Sequence, residues 1–236
     1  MAQPRYLVLG RTRGRASVHI IGRYKGDGGV RDVFTTTGIP RSRVLELYVF
    51  EIVDPSNASP EDLVWHVITF DISKARGGRR AGYEYSYIKD MLLLRFCASI
   101  DSSTYVCPQD YTGLLKDYLG RVAESYRLEC YTVRTFRGRE VELLREAFME
   151  TLEYVLGVLA RLRDKVVELR ARKATQAAKN VAAKADRLAK TVEAALSHED
   201  IVVKVSIALR KSIRSKLEEA LAELRKAIAA LPLTPF

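Results

Sequence analysis

The stretch KARGGRRAGYEYSY carries Lys74, Arg76, Arg79 and Arg80 just ahead of Tyr83, Tyr85 and Tyr87. Guanidinium and ammonium groups on a segment that reaches out of a fold are what phosphate contacts require. Gly77, Gly78 and Gly82 let the backbone come close to a phosphate. The tyrosine rings that follow offer faces on which unpaired bases can stack. The competing reading is a solvated polar loop, 74–86, whose tyrosines are half in the core. Three other basic places compete with it: a first hairpin bearing Arg11, Arg13, Arg15, Arg23 and Lys25; Arg41 and Arg43 in PRSR; and a helix over 170–190 with Arg172, Lys173 and Lys179.

Other chemistries are sparsely provided for. His19, His66 and His198 are scattered, and Cys97, Cys107 and Cys130 lack zinc-ligand spacing. The cysteines read as buried thiols, with a Cys97–Cys107 or Cys107–Cys130 bridge as the alternative. No catalytic signature stands out, so a non-enzymatic role is expected, with no cofactor and no metal unless a nuclease alternative brings in Mg²⁺.

Composition narrows the partners. The 236 residues hold 47% hydrophobic and 29% charged side chains, a folded balance, and the net charge is +10. The excess peaks over 161–190, where ten basic residues meet three acidic ones. Such a maximum favours nucleic acid or another acidic partner. Three Gln and two Asn in the whole chain suit a heat-adapted protein. The N-terminal stretch is charged where a signal peptide is apolar, and no apolar run nears the ~18–20 residues that span a bilayer. The expected location is the cytoplasm.

The elements that must position these residues form an α+β chain in three parts. Residues 1–63 read as a basic β-rich subdomain: RYLVLGRT, ASVHIIGRY, VRDVFTTT and RVLELYVFEIV are Val/Ile/Tyr/Thr-rich and broken by RGR, KGDGG and GIPRS. DPSNASPEDL, 54–63, is turn chemistry. Residues 64–138 read strand (WHVITFDIS), helix (YIKDMLLLRFCASI), strand (SSTYVCP), helix (TGLLKDYLGRVAESY), strand (RLECYTVRTF), with room for a short strand near 105–112. That is the split βαβ pattern of a ferredoxin-like α/β sandwich.

Residues 139–236 read as helix. Leu152, Val155, Leu159, Leu162, Val166 and Leu169 recur at spacings of three and four, a coiled-coil seam. The frame is lost near 172–180 and resumes at Val181, Ala185, Leu188, Val192 and Ala195. Ser197 with Glu199 and Asp200 reads as the N-cap of a last helix, which makes the region a long antiparallel hairpin. The seam predicts a homo-oligomer formed through these helices. Arg170, Arg172, Lys173 and Lys179 have few acids near them in sequence, and the small seam residues allow a close partner helix.

HVITFDIS, the Arg-rich loop, the helix ending LLLRFCASI and the strand SSTYVCP together resemble the CRISPR-associated adaptation endonuclease family of ferredoxin-like dimers. They are equally similar to the amino-terminal domain of chromate-resistance regulators. The resemblance covers about 70 of the 236 residues. It implies a ferredoxin-like fold, and its one chemical position is the acid closing the first strand, Asp71. In nuclease-like members that acid from two subunits is proposed to hold a divalent metal, and a carboxylate suits Mg²⁺. Here the loop after Asp71 is longer and more basic, and large extensions sit on both sides. Asp71 alternatively caps the following turn.

The expected function is therefore nucleic-acid binding through basic loops and the helical arm, in a regulatory, protective or ribosome-associated role, with DNA and RNA both open. One rival is an Mg²⁺-dependent nuclease using Asp71. The other is a coiled-coil scaffold that binds protein.

Overall fold

The computed structural model describes residues 5–12, 15–22, 44–58, 63–72, 78–122, 126–135, 139–172, 175–198, 201, 204–205 and 212–231. The protein is α+β: one seven-stranded antiparallel sheet with five α-helices among these residues.

Strand β1 (Arg5–Thr12) lies between β2 (Arg15–Ile21) and β3 (Val44–Ile52). Leu7 and Leu9 join Tyr48 and Phe50 in the main core, while Val8 packs with Val49 on the opposite face. This is the period-2 alternation of a strand covered on both sides. The KGDGG turn and the strand expected over 30–37 fall outside the described residues. Asp54 accepts from the Ser56 amide at 3.0 Å and caps a 3-10 turn over Pro55–Asn57, as the turn chemistry there predicts.

Strand β4 (Val64–Ile72) runs between β7 (Tyr126–Arg134) and β6 (Thr104–Cys107), with β5 (Ala98–Ser99) outside β6. The sheet order is β2-β1-β3-β7-β4-β6-β5. The two groups of strands meet where Glu51 and Ile52 pair with Arg134 and Val133, and the Val53 amide donates to the Thr132 carbonyl at 3.1 Å. The extra short strand is β5, ahead of β6, not the one expected near 105–112.

The alternation of β4 sorts two cores. Trp65 and Val67 join the larger one, and Ile68, Phe70 and Ile72 join the other, where Ile88, Leu92, Leu115 and Leu119 pack on them from helices α1 (Gly78–Leu93) and α2 (Thr112–Val122). Helix α1 ends in a Schellman turn: Cys97 N–H donates to the Leu92 carbonyl and Phe96 N–H to the Leu93 carbonyl. Phe96 occupies the left-handed position usually given to glycine, at φ 60°, and its ring is buried. That turn delivers Cys97 opposite Cys107 across the β5–β6 pair, where the two form a disulfide. For these two residues the buried-thiol reading is corrected; Cys130 is the free one.

On the other face lie α3 (Arg139–Ala171), α4 (Thr175–Ser197) and α5 (Ser212–Ala229). The break expected near 172–180 falls between α3 and α4. Ser197 ends α4, its hydroxyl donating to the Ala194 carbonyl at 2.9 Å; Glu199 and Asp200, the first turn expected after it, lie outside the described residues. The seam residues Leu152, Val155, Leu159 and Val166 are fully or almost fully buried. Leu152, Val155 and Leu159 share one core with Ala185, Ala189, Val192, Leu217, Leu221 and Leu224, so helices of the same chain cover much of the seam. The alanine stripe of α4 allows that close approach.

Arg225 ties α5 to α4 by donating to Glu193 at 2.7 and 3.1 Å and to Asp186, and Arg163 ties α3 to Glu223 of α5. The Asp186–Lys190 pair one turn apart forms as expected, at 2.9 Å. Because Val166 is sealed within one chain, Val166→Ala removes two buried methyl groups and costs about 2 kcal/mol. The denaturant midpoint of this variant drops by the same amount at chain concentrations a hundredfold apart. A drop confined to low concentration would make the seam an interface between copies.

Candidate nucleic-acid interface

Helix α1 starts at Gly78, so Arg79, Arg80 and all three tyrosines stand on a helix and not in the loop expected over 74–86. Helical spacing then separates the tyrosines. Tyr83 and Tyr87, four residues apart, share the outer face and are 72% and 46% exposed. Tyr85 lies half a turn away and packs on Phe70, ring centroids 5.6 Å apart. It is partly buried against the α1/α2 core. Tyr87 is braced by Tyr118 of α2, stacked at 4.9 Å.

Tyr83 and Tyr87 open onto a groove of about 1230 Å³ between α1, α3 and α4. Its cations are Arg95, Arg161, Lys165, Lys184 and Arg187, and its acids are Asp90, Asp164 and Glu168. The acids are engaged. Tyr154 donates its hydroxyl to Asp90, and burial together with that bond pushes the Tyr154 phenol well above its ordinary range. Arg163 holds Asp164 at 2.9 Å. Lys165 and Arg172 hold Glu168 at 2.9 and 2.8 Å; the Lys165 bond, then the two positive charges, keep its carboxyl below the usual range. Arg161, Lys184 and Arg187 have no carboxylate partner among the described residues; the Arg187 guanidinium donates to the Ala183 carbonyl at 3.4 Å. The groove wall thus combines two exposed aromatic faces with three cations that no carboxylate of the described residues pairs.

The remaining expected site residues fall elsewhere. Arg172 is paired with Glu168, so for it the shortage of acids is corrected; Lys179 is exposed on α4 and has an interaction of its own. Arg11 is on β1 beside Ala16 and Glu46, and Arg15 on β2. Arg13, Arg23, Lys25, Arg41, Arg43, Lys74, Arg76 and Lys173 lie outside the described residues. Asp71 is exposed near the end of β4 opposite Arg127, and belongs to no trio of metal-ligating side chains among the described residues. Sequence reasoning passed over Arg161, Lys184 and Arg187 as a set, because they come from two helices whose packing no local pattern encodes.

It also passed over a second cluster. His66 of β4, Asp110 ahead of α2 and Cys130 of β7 bring one ligand atom each within 4.8 Å of one another. Burial raises the Cys130 thiol above its ordinary range. Burial acts upward on Asp110 as well, but the bonds from Thr112 and the nearby His66 outweigh it and hold its carboxyl below the usual range. Strand alternation sets His66 and Cys130 on the α1/α2 side of their strands, yet only the β4–β7 register makes them neighbours.

No protein-family model, curated protein or solved structure matches this chain.

Proposed function

We propose that the chain is a non-enzymatic nucleic-acid-binding protein that takes an unpaired strand into the groove between α1, α3 and α4. Tyr83 and Tyr87 stack on bases, and Arg161, Lys184 and Arg187 meet phosphates. The observation that carries this reading is the exposed Tyr83/Tyr87 pair beside three cations that have no carboxylate partner among the described residues. Stacking faces alongside a positive groove are the means by which single strands are held without sequence preference. A groove of about 1230 Å³ exceeds the ~300–1,000 Å³ typical of sites for one small molecule, which suits a polymer segment. The strand order β7-β4-β6-β5, with α1 and α2 on one face, supports the ferredoxin-like reading of the middle segment. The proposed location is the cytoplasm, and self-association, where it occurs, draws on surfaces other than the buried seam.

Titration with labelled single- and double-stranded DNA and RNA across a salt series tests the proposal. Single strands bind more tightly than duplexes of equal length, and log affinity falls with log salt at a slope near −2, about −0.7 for each of three phosphates. Absence of salt-sensitive binding, or a preference for duplex, overturns it.

A further inference from the structure

We propose that His66, Asp110 and Cys130 form a binding site for one divalent metal ion of the zinc class, on the α1/α2 side of the sheet and independent of the groove residues. The three donors come from three elements. In the β4–β7 register His66 is opposite Thr132 and Ile68 opposite Cys130, so the imidazole and the thiol are diagonal neighbours on one face. Asp110 is brought over by the entry to α2: its Oδ1 accepts from the Thr112 amide at 2.8 Å and the Thr112 hydroxyl at 2.5 Å. The Cys130 thiol also points at Oδ1, at 3.9 Å, which leaves Oδ2 as the oxygen not used by the cap.

The donor set selects the ion. One imidazole, one thiolate and one carboxylate are foreign to Mg²⁺ and Ca²⁺, which take oxygen ligands, and are the mixture that zinc and cobalt accept. Ligand bonds of ~2.0–2.3 Å put tetrahedral donors roughly 3.3–3.8 Å apart. The donor atoms already lie within 4.8 Å, so side-chain adjustment of about an ångström closes the site. Outer contacts that orient ligands are present: Thr132 Oγ1 lies 3.4 Å from His66 Nδ1, and Thr112 fixes the carboxylate. The thiol proton leaves to solvent as the sulfur–metal bond forms. Three protein donors leave the fourth tetrahedral position to water, reached from the side of the exposed Asp110.

The disulfide makes the test clean. The chain has three cysteines, and with Cys97 and Cys107 bonded to each other only Cys130 can supply a thiolate. The full-length, tag-free protein, its disulfide confirmed by mass spectrometry, is titrated with Co²⁺. One equivalent per chain is expected to produce tetrahedral d–d absorption and a sulfur-to-cobalt charge-transfer band, both erased by stoichiometric Zn²⁺. Cys130→Ser abolishes the charge-transfer band. Asp110→Asn keeps an N-capping side chain and so the fold, keeps the band, and weakens affinity at least about tenfold. Lack of a charge-transfer band in the wild type, a band that survives Cys130→Ser, or unchanged affinity in Asp110→Asn overturns the proposal.

Discussion

Replacing Tyr83 and Tyr87 together by alanine weakens binding of an unpaired strand by about 30-fold or more. Each base stacked on an aromatic side chain contributes ~1–3 kcal/mol by alanine substitution, so two contribute ~2–6 kcal/mol, and 1.4 kcal/mol is tenfold. Both rings are already exposed, at 72% and 46%, so their removal leaves the cores intact. The salt slope is expected to stay the same, because no charge has been lost. The triple variant of Arg161, Lys184 and Arg187 to alanine behaves in the complementary way, flattening the slope by about two units. Tyr85→Ala is the control: it loosens the packing on Phe70 and lowers stability, but folded molecules bind as before. Fluorescence anisotropy with a labelled single strand reads all three variants. Wild-type affinity in the Tyr83/Tyr87 double variant would remove the groove from the ligand site. The basic helix and the aromatic segment, which read as rivals along the chain, are two walls of this one groove.

The largest expected effect on stability belongs to Trp65→Ala, at about 3–5 kcal/mol. Trp65 is 1% exposed and its ring lies 5.2 Å from that of Phe148, so it joins β4 to the long helix α3. Domains carry ~5–15 kcal/mol in all, so such a loss leaves the chain marginal or unfolded. Trp65→Phe is milder, because phenylalanine keeps most of the apolar contact and removes an indole N–H that has no acceptor among the described residues. Urea unfolding checks both variants. It is followed by far-ultraviolet circular dichroism, since Trp65 is the sole tryptophan and its emission disappears with it. An unchanged midpoint for Trp65→Ala would show that this contact does not hold the sheet to its helical layer.

What the sequence determined by itself was local. The apolar run WHVITFDIS marks β4 and the alternation in RLECYTVRTF marks β7, the 3-4 spacing from Leu152 to Leu169 marks α3, and the frame lost near 172–180 marks its end. Each follows from side-chain periods of 2.0 and 3.6 residues, which neighbouring residues alone can display. At GGRRAG two local signals conflicted, and there the reading failed. The glycines of GGRRAG suggested a loop, but helix α1 packs Tyr85 and Ile88 into the core, and that burial draws Arg79 and Arg80 into its first turn. The seam of α3 read as an interface between chains, because periodicity shows that a stripe is covered without showing by what. Helices α4 and α5 of the same chain pack on Leu152, Val155 and Leu159 of that stripe.

Tertiary structure decided everything that depends on register and on helix packing. The Cys97–Cys107 bridge needs the β5–β6 pairing, the meeting of His66, Asp110 and Cys130 needs the β4–β7 pairing and the cap of α2, and the groove needs α1 set beside α3 and α4. These partners stand ten to about a hundred residues apart. Nothing in the spacing of either partner encodes the other; they meet because burying both faces of one sheet leaves each strand and helix a single place to lie.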